Sequence, residues 1–469
     1  MLTVALSALL VLTAAVPAAG AECERSSLGA LLEQLDTVRD RNDVPAYGMT
    51  LVNRERVLYC GARGIADLES GAAVDGDTRF RIGSITKAFT SLALLLAVRD
   101  GDFALDDRLV DLLDPAPLDN PWAAEVSVTL AQLLEHTSGL TDLTWPEMRH
   151  SDPAPLPLAE AVRISAPERR VRWRPAEHSS YSNAGAGLAA RALEVHSDTL
   201  YERFVQERIF APLGMITASV LLDEATAANL ATGYDRDATT PIPYWHMLYR
   251  PFGAINVRPH DMAPFLRMLL NDGAVDGKPW LDRVSVRRME LPTTTLSARH
   301  GLDYGYGLGI YSWYRDGWLF HGHGGDGDGF LAHFGYSREF GMAYFVVITA
   351  FRHAPLRAMR RQLEDHIVCG KNPHRPPVAT LSADSRKRLT GTYEQVTWRF
   401  GDGTDNTLEV VDEGGRLYTT TDKGVRRELV PVSERLFRRP DQPAATMAIV
   451  EDSTGTLALQ GDIGNYRKR

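Results

Sequence analysis

The apolar positions of this chain change period several times, and those changes divide it. Met1 to Pro17 is apolar apart from Thr3, Ser7 and Thr13 and runs into small residues ending at Ala19-Gly20-Ala21. This is the pattern of a secretory signal cleaved after Ala21, too short for a permanent membrane span, and a periplasmic or secreted protein is expected. Leu28, Leu31, Leu32, Leu35 and Val38 then recur at helical spacing, which predicts an amphipathic helix. The strand-like runs Tyr47 to Val52 and Arg56 to Cys60 flank the polar Asn53-Arg54-Glu55 and predict a hairpin. From Ser84 to Arg99 the period is helical again, with Ile85, Ala88, Phe89, Leu92, Leu95 and Leu96 inward and Gly101 as the stop. Helical patterns continue to about residue 290, broken by Pro-rich loops such as Asp152 to Pro157 and Pro241 to Tyr244.

Short aromatic and β-branched runs return at Gly307 to Trp313, Trp318 to His321, Phe330 to Tyr336 and Met342 to Ala350, and a helical pattern follows at Leu356 to Val368. Strands at both ends of a helical stretch predict one α/β domain whose sheet is assembled from both ends of the segment. Gly370 to Pro377 reads as a linker. Beyond it, Thr407 to Val411, Leu417 to Thr420, Glu428 to Pro431, Thr446 to Val450 and Leu457 to Leu459 alternate at near-regular spacing with Gly and Asp turns, the pattern of a small antiparallel sheet or barrel. The expected division is a signal peptide at 1–21, a main domain at 22–370, a linker at 371–388 and a small all-β domain at 389–469.

Charge and composition narrow the function. The chain has 51 basic and 60 acidic residues, a net charge of -9, and no long basic run, which excludes a nucleic-acid binder held by phosphate contacts. Its 44% hydrophobic content excludes low-complexity disorder. Three cysteines are too few for a disulfide framework and fit no metal cluster; one bridge among Cys23, Cys60 and Cys369 would leave one thiol, with three pairings open. Only six of the 51 basic residues are lysine. A Lys inside a motif therefore stands out, since Lys can give up its proton and Arg effectively cannot.

Lys87 is such a residue. In Ser84-Ile85-Thr86-Lys87 the hydroxyl and the amine lie three positions apart on one helical face, near a helix N-terminus whose dipole favours a developing oxyanion. A serine hydroxyl needs a base at neutral pH, and a partly buried Lys can be neutral enough to serve. Alone, the pair reads equally as an N-cap serine with a solvated lysine one turn on. A second segment, His178-Ser179-Ser180-Tyr181-Ser182-Asn183, precedes a Gly- and Ala-rich helix from Ala184 to Val195 and supplies a phenol and an amide. A third, His321-Gly322-His323-Gly324-Gly325-Asp326-Gly327-Asp328-Gly329, is Gly-rich. As a dinucleotide loop it lacks the following helix, as a calcium loop it lacks the EF-hand spacing, and its two histidines have no third ligand nearby. Glycines here let backbone approach a ligand or mark a bulge.

These elements in this order resemble the penicillin-recognising serine hydrolases: class C β-lactamases, the related D,D-peptidases, and their esterase and D-aminopeptidase relatives. The Ser-x-x-Lys motif falls at Ser84 and Lys87, Tyr-x-Asn at Tyr181 and Asn183, and the Lys-or-His-x-Gly strand motif at His323, Gly324 and Gly325. Connecting text is similar at Thr78 to Gly83, Leu133 to Leu140, Pro212 to Met215 and Tyr306 to Gly309. The C-terminal segment, notably Leu389 to Glu394, resembles lipocalin-like barrels appended to some of these hydrolases.

The resemblance implies a β-lactamase-like α/β fold, an antiparallel sheet flanked by helices with an inserted helical region, followed by a small all-β barrel. It implies a serine hydrolase acting on a small-molecule or peptide substrate without metal or other cofactor. Ser84 would attack a carbonyl, with Lys87 and Tyr181 sharing its proton. The backbone N–H groups of Ser84 and Asp326 would hold the oxyanion, Asn183 would orient the substrate amide, and His323 would face its carboxylate or ester side beside Gly325. Many β-lactamases carry Lys where this chain has His323, whereas family members with His include D,D-peptidases and esterases, which argues against efficient β-lactam turnover. Pro175-Ala176 also departs from the family's Pro-Gly. A carboxylesterase or D-aminopeptidase and a non-catalytic penicillin-binding sensor are the competing readings. An α/β-hydrolase lacks its Gly-x-Ser-x-Gly elbow and a zinc hydrolase its His-Glu-x-x-His. The loop Pro241 to Pro251, with Tyr244, Trp245 and Tyr249, is a candidate aromatic wall for the pocket or plain packing.

Overall fold

A computed structural model describes residues 27–148, 155–164, 166–369, 373, 376–400, 403 and 406–469. The expected signal segment lies outside the described residues. Seven antiparallel strands form the main sheet: β1 (Ala46–Asn53), β2 (Val57–Asp67), β3 (Ala72–Ala73), β4 (Tyr311–Arg315), β5 (Trp318–Gly327), β6 (Phe330–Ser337) and β7 (Met342–Ile348), in the spatial order β4-β5-β6-β7-β1-β2-β3. The principal helices are α1 (Leu28–Arg41), α2 (Thr86–Asp100), α3 (Asn183–Ser197), α4 (Pro259–Leu270) and α5 (His353–Ile367).

The sheet is closed by its two ends of sequence, as the strand pattern predicts. β1 pairs with β7 in the register Met49 to Val346, and the Ala46 N–H donates to Thr349 Oγ1 at 3.0 Å across 303 positions. Side chains alternate across a strand, so Tyr47, Met49 and Leu51 join Val346 and Ile348 beneath α1 and α5, while Phe345 and Val347 face α4 and α2. Phe89 of α2 stacks on Phe265 of α4 with centroids 4.5 Å apart.

Several expectations are corrected. Helix α2 is buried all round from Thr86 to Ala97 rather than on one face, because it lies at the centre of the domain, as a helix apolar on every side must. Its end is as expected, with Gly101 at φ 89° in the left-handed conformation glycine favours. The run from Gly307 to Ile310 is not strand: Gly309 has φ 70°, and a β-carbon there would lie 2.6 Å from the Lys87 carbonyl oxygen, so this segment is a turn pressed on α2. The Gly-rich run after His321 is strand through Gly327. The stretch 371–388 includes most of the helix Ala383–Leu389, whose Leu389 is buried in the C-terminal core.

That C-terminal unit is a closed eight-stranded antiparallel barrel, β8 (Gly391–Gln395), β9 (Thr407–Glu413), β10 (Arg416–Thr421), β11 (Arg426–Pro431), β12 (Leu436–Arg438), β13 (Met447–Glu451), β14 (Leu457–Gly461) and β15 (Gly464–Lys468), with β15 returning to β8. Its interior is filled by its own side chains, among them Tyr393, Leu408, Leu417, Phe437, Ile449 and Leu459.

The barrel docks on the main domain. Ala448, Val450 and Ala458 pack against Leu296 and Leu302. The Gln460 amide donates to the Glu177 carbonyl at 2.7 Å and accepts from the Ser297 N–H at 2.9 Å, and the Asn465 amide donates to the Ser179 carbonyl at 2.9 Å. Trp398 meets Trp173 edge to face at 5.1 Å. The grip falls on the segment that leads into Tyr181. Cys60 is a free thiol and Cys369 is disulfide-bonded; Cys23 lies outside the described residues.

Candidate active site

Ser84 sits two residues ahead of α2, on the tight turn Gly83–Ile85, rather than in the helix itself. Two glycines allow strand β5 to run against this turn. Gly83 has φ 52°, and a β-carbon there would lie 2.8 Å from the Asp326 nitrogen. A β-carbon on Gly325 would fall 1.8 Å from the Ile82 carbonyl oxygen and 3.3 Å from the Ser84 nitrogen. The glycines bring the Ser84 and Asp326 backbone amides side by side. The Gly325 position is thus one of backbone approach.

Lys87, one helical turn beyond Ser84, is 2% exposed. Its Nζ donates to Ser84 Oγ at 3.0 Å and to the Phe252 carbonyl at 3.0 Å. Burial, with the Arg399 cation nearby, holds this amine well below the usual lysine range, against opposing pulls from Asp142 and Asp326. Tyr181 arrives from the loop before α3 and lines the same cleft, its phenol close enough to the Ser84 hydroxyl to be drawn down by it. The ring lies 4.8 Å from Lys87 Nζ and 4.1 Å from the His136 ring. Burial pushes the phenol up, which keeps it protonated, although the Ser84 hydroxyl and Arg399 act in the opposite direction. Ser84, Lys87 and Tyr181 thus converge, from two stretches of chain, on one oxygen.

Asn183 is the first residue of α3. Its N–H donates to Asp142 Oδ1 at 2.6 Å, its side-chain amide reaches Asp142 Oδ2 at 3.5 Å, and its Oδ1 is buried without a hydrogen bond. His323 projects from β5. Its Nδ1–H donates to the Gly324 carbonyl, which leaves Nε2 to accept from the Tyr306 hydroxyl at 2.7 Å. Both ring nitrogens are engaged, and burial beside Lys87 lowers its pKa to about 3, so the ring is neutral. Asp326 is exposed, with His353 4.0 Å from its carboxylate.

Around these groups lies a cleft of about 580 Å³ lined by Ser84, Tyr181, Asn183, His323 and Asp326 together with Trp245, Phe252, Tyr306 and Arg399. Of the aromatic loop, Trp245 and Met247 reach it. Tyr244 stacks on Arg81 at 4.3 Å, and Tyr249 is buried with its hydroxyl donating to Glu147 at 3.0 Å. Tyr306 was legible only as part of a matching string, and Phe252 lies just past the loop that the sequence singled out. Arg399 carried no signal at all: it comes from the barrel, between β8 and β9, lies 4.6 Å over the Tyr181 ring, and bonds Asp142 at 2.6 Å across 257 positions.

The chain is 30% identical to penicillin-binding protein 4 of Amycolatopsis lactamdurans over 311 residues, covering 63% of this chain and 78% of that protein. It is 30% identical to a D-aminopeptidase of Brucella anthropi over 213 residues, covering 45% of this chain and 39% of that protein. The octameric penicillin-binding protein homologue of Pyrococcus abyssi superposes with a TM-score of 0.61 at 21% identity over 94% of this chain and 100% of its own, a likeness of fold. The model of the Beta-lactamase family matches residues 33–368, the span that carries the main sheet, the Ser84 turn and the Tyr181 loop. The chain belongs to the Beta-lactamase family and is, by kind, a serine hydrolase.

Proposed function

We propose that this protein hydrolyses amides or esters through an acyl-enzyme on Ser84, with D-amino-acid amides, D-peptides and small esters as the substrate class. The observation that carries the reading is the meeting of the Lys87 amine and the Tyr181 phenol at Ser84 Oγ within one cleft. With burial pushing the Lys87 amine toward its neutral form and the Tyr181 phenol toward its protonated one, the amine is the better-suited base. Ser84 Oγ bonds to the substrate carbonyl carbon as its proton passes to Lys87 Nζ. The oxyanion lies between the N–H groups of Ser84 and Asp326, each such donor contributing on the order of a hundredfold in rate. As the scissile bond breaks, Tyr181 gives its proton to the leaving nitrogen or oxygen and regains one from Lys87. Water then adds to the acyl carbon, losing its proton to the same pair, and Ser84 leaves with that proton. The free Oδ1 of Asn183 suits a substrate N–H, which favours acylamino substrates over simple esters.

The neutral His323 supports poor β-lactam turnover, and the resemblance to a D-aminopeptidase supports D-amino-acid substrates. The segment Met1 to Ala21 supports an exported enzyme, whose N-terminus should be Glu22. Turnover of a nitrophenyl ester, a D-Ala-D-Ala peptide, a D-amino-acid amide or a chromogenic cephalosporin tests the reading. Ser84→Ala should abolish turnover and labelling by a fluorophosphonate; retained activity refutes the assignment. Acyl-enzyme that forms and never hydrolyses would favour the sensor.

A further inference from the structure

The Ser84 cleft contains a cation that the acyl-transfer steps do not use. Arg399 lines the cleft from the barrel, and its guanidinium is fixed on two sides. One face rests on the Tyr181 ring at 4.6 Å, and Nε donates to Asp142 Oδ2 at 2.6 Å. Asp142 is in turn 1% exposed and held by the Asn183 N–H. Main-chain contact adds to this, the Arg172 guanidinium donating to the Arg399 carbonyl at 3.3 Å. Among the described residues the two terminal nitrogens, Nη1 and Nη2, make no hydrogen bond, and the side chain is 41% exposed. A guanidinium with two anchored sides and a free fork is preorganised for bidentate contact with a carboxylate.

The cleft's other guanidinium, Arg236, is exposed and has no side-chain partner among the described residues to fix it in place. Lys87 has its donors committed to Ser84 and Phe252, and His323 has both ring nitrogens engaged. Asp326 and Asp328 also line the cleft, Asp328 in an ion pair with Arg81 at 3.6 Å.

We propose that Arg399 receives a carboxylate of the substrate, so that the barrel selects amides and esters that carry an anionic group beside the scissile bond. This rests on the Ser84 reading above. The barrel is then a part of the binding site.

The test uses the full-length protein and a neutral fluorophosphonate that labels Ser84. Protection by N-acetyl-D-alanine is compared with protection by its uncharged amide. In the wild-type protein the carboxylate should protect at a concentration about tenfold or more below that of the amide, the gain expected for a charge-assisted pair. The double variant Arg399→Gln/Asp142→Asn, which strands no buried charge, should lose that preference, and Arg399→Lys should keep part of it. Equal protection by the two probes, no protection by either, or an undiminished preference in the double variant overturns the proposal. Failure of Ser84 to label at all overturns the Ser84 reading instead.

Discussion

Gly325 and Ile82 touch backbone to backbone: a β-carbon on the glycine would fall 1.8 Å from the Ile82 carbonyl oxygen. The strand that carries Asp326 can lie beside the Ser84 turn only because that carbon is missing. Gly325→Ala should therefore separate the two amides and cut turnover by on the order of a hundredfold, as loss of one oxyanion donor does. The accompanying loss of stability should be about 1–3 kcal/mol from overpacking. Gly76→Ala, where a β-carbon meets nothing within 4 Å, is the matched control. Steady-state rates and thermal melts of both variants decide the point.

Lys87 trades stability for reactivity. The folded protein holds this amine well below the usual lysine range, chiefly through burial, so between its depressed pKa and that of a free lysine the unfolded chain binds one more proton. Stability from this site rises with pH across that window. Lys87→Met should abolish activity yet raise stability at pH 7 by about 1–3 kcal/mol, with the gap narrowing as pH approaches 10. Denaturant titrations at several pH values measure it. The wild-type acylation rate should rise with pH through the Lys87 titration, since only the neutral amine accepts the Ser84 proton.

The buried histidines predict acid lability. Burial lowers His321 to about 4 and His323 to about 3, and also depresses His136 and His333. A histidine depressed on folding contributes fully above its unfolded pKa, and the contribution is lost as pH falls toward the folded value. Stability should thus decline from about pH 6.5 down to pH 4, by on the order of 2 kcal/mol for each of His321 and His323. His323→Gln should flatten that decline while disturbing the Tyr306 bond. Melting temperature against pH is the readout; a flat wild-type profile refutes it.

Gln460 ties the barrel to the Tyr181 loop through Glu177 and Ser297. Gln460→Ala strands the buried Ser297 N–H and removes one of the two donors to the Glu177 carbonyl, which keeps the Leu296 N–H at 3.3 Å, costing about 1–3 kcal/mol. Because the loop it releases ends in Tyr181, kcat should fall more than KM rises. An unchanged kcat would make the contact purely structural.

Much of this was legible in the chain, for definite reasons. Period-two alternation located the central strands, since Tyr47, Met49 and Leu51 must share a face, and the three short motifs named every group now found at Ser84 Oγ. What escaped detection depends on contacts between distant segments. The Gly-rich run reads locally as loop, but Gly322 and Gly325 are glycines because Phe334 and Ile82 backbones press on them, a fact of neighbours. The setting of His323 is likewise a fact of neighbours: burial beside Lys87 keeps the ring neutral, and Tyr306, 17 positions away, engages its Nε2. Arg399 had no local mark, its meaning arising only when the barrel closes and swings onto the cleft.

A carrier of small molecules must keep its inside vacant. Here Tyr393, Leu417, Phe437 and Ile449 occupy that space, and what the barrel offers the cleft is the rim between β8 and β9. That rim bears Trp398 and Arg399. If Arg399 receives a carboxylate as proposed, the portion of the chain that looks most like an accessory sets the polarity of what comes up to the serine, and grafting a different module in its place would change the enzyme's diet before it changed its chemistry.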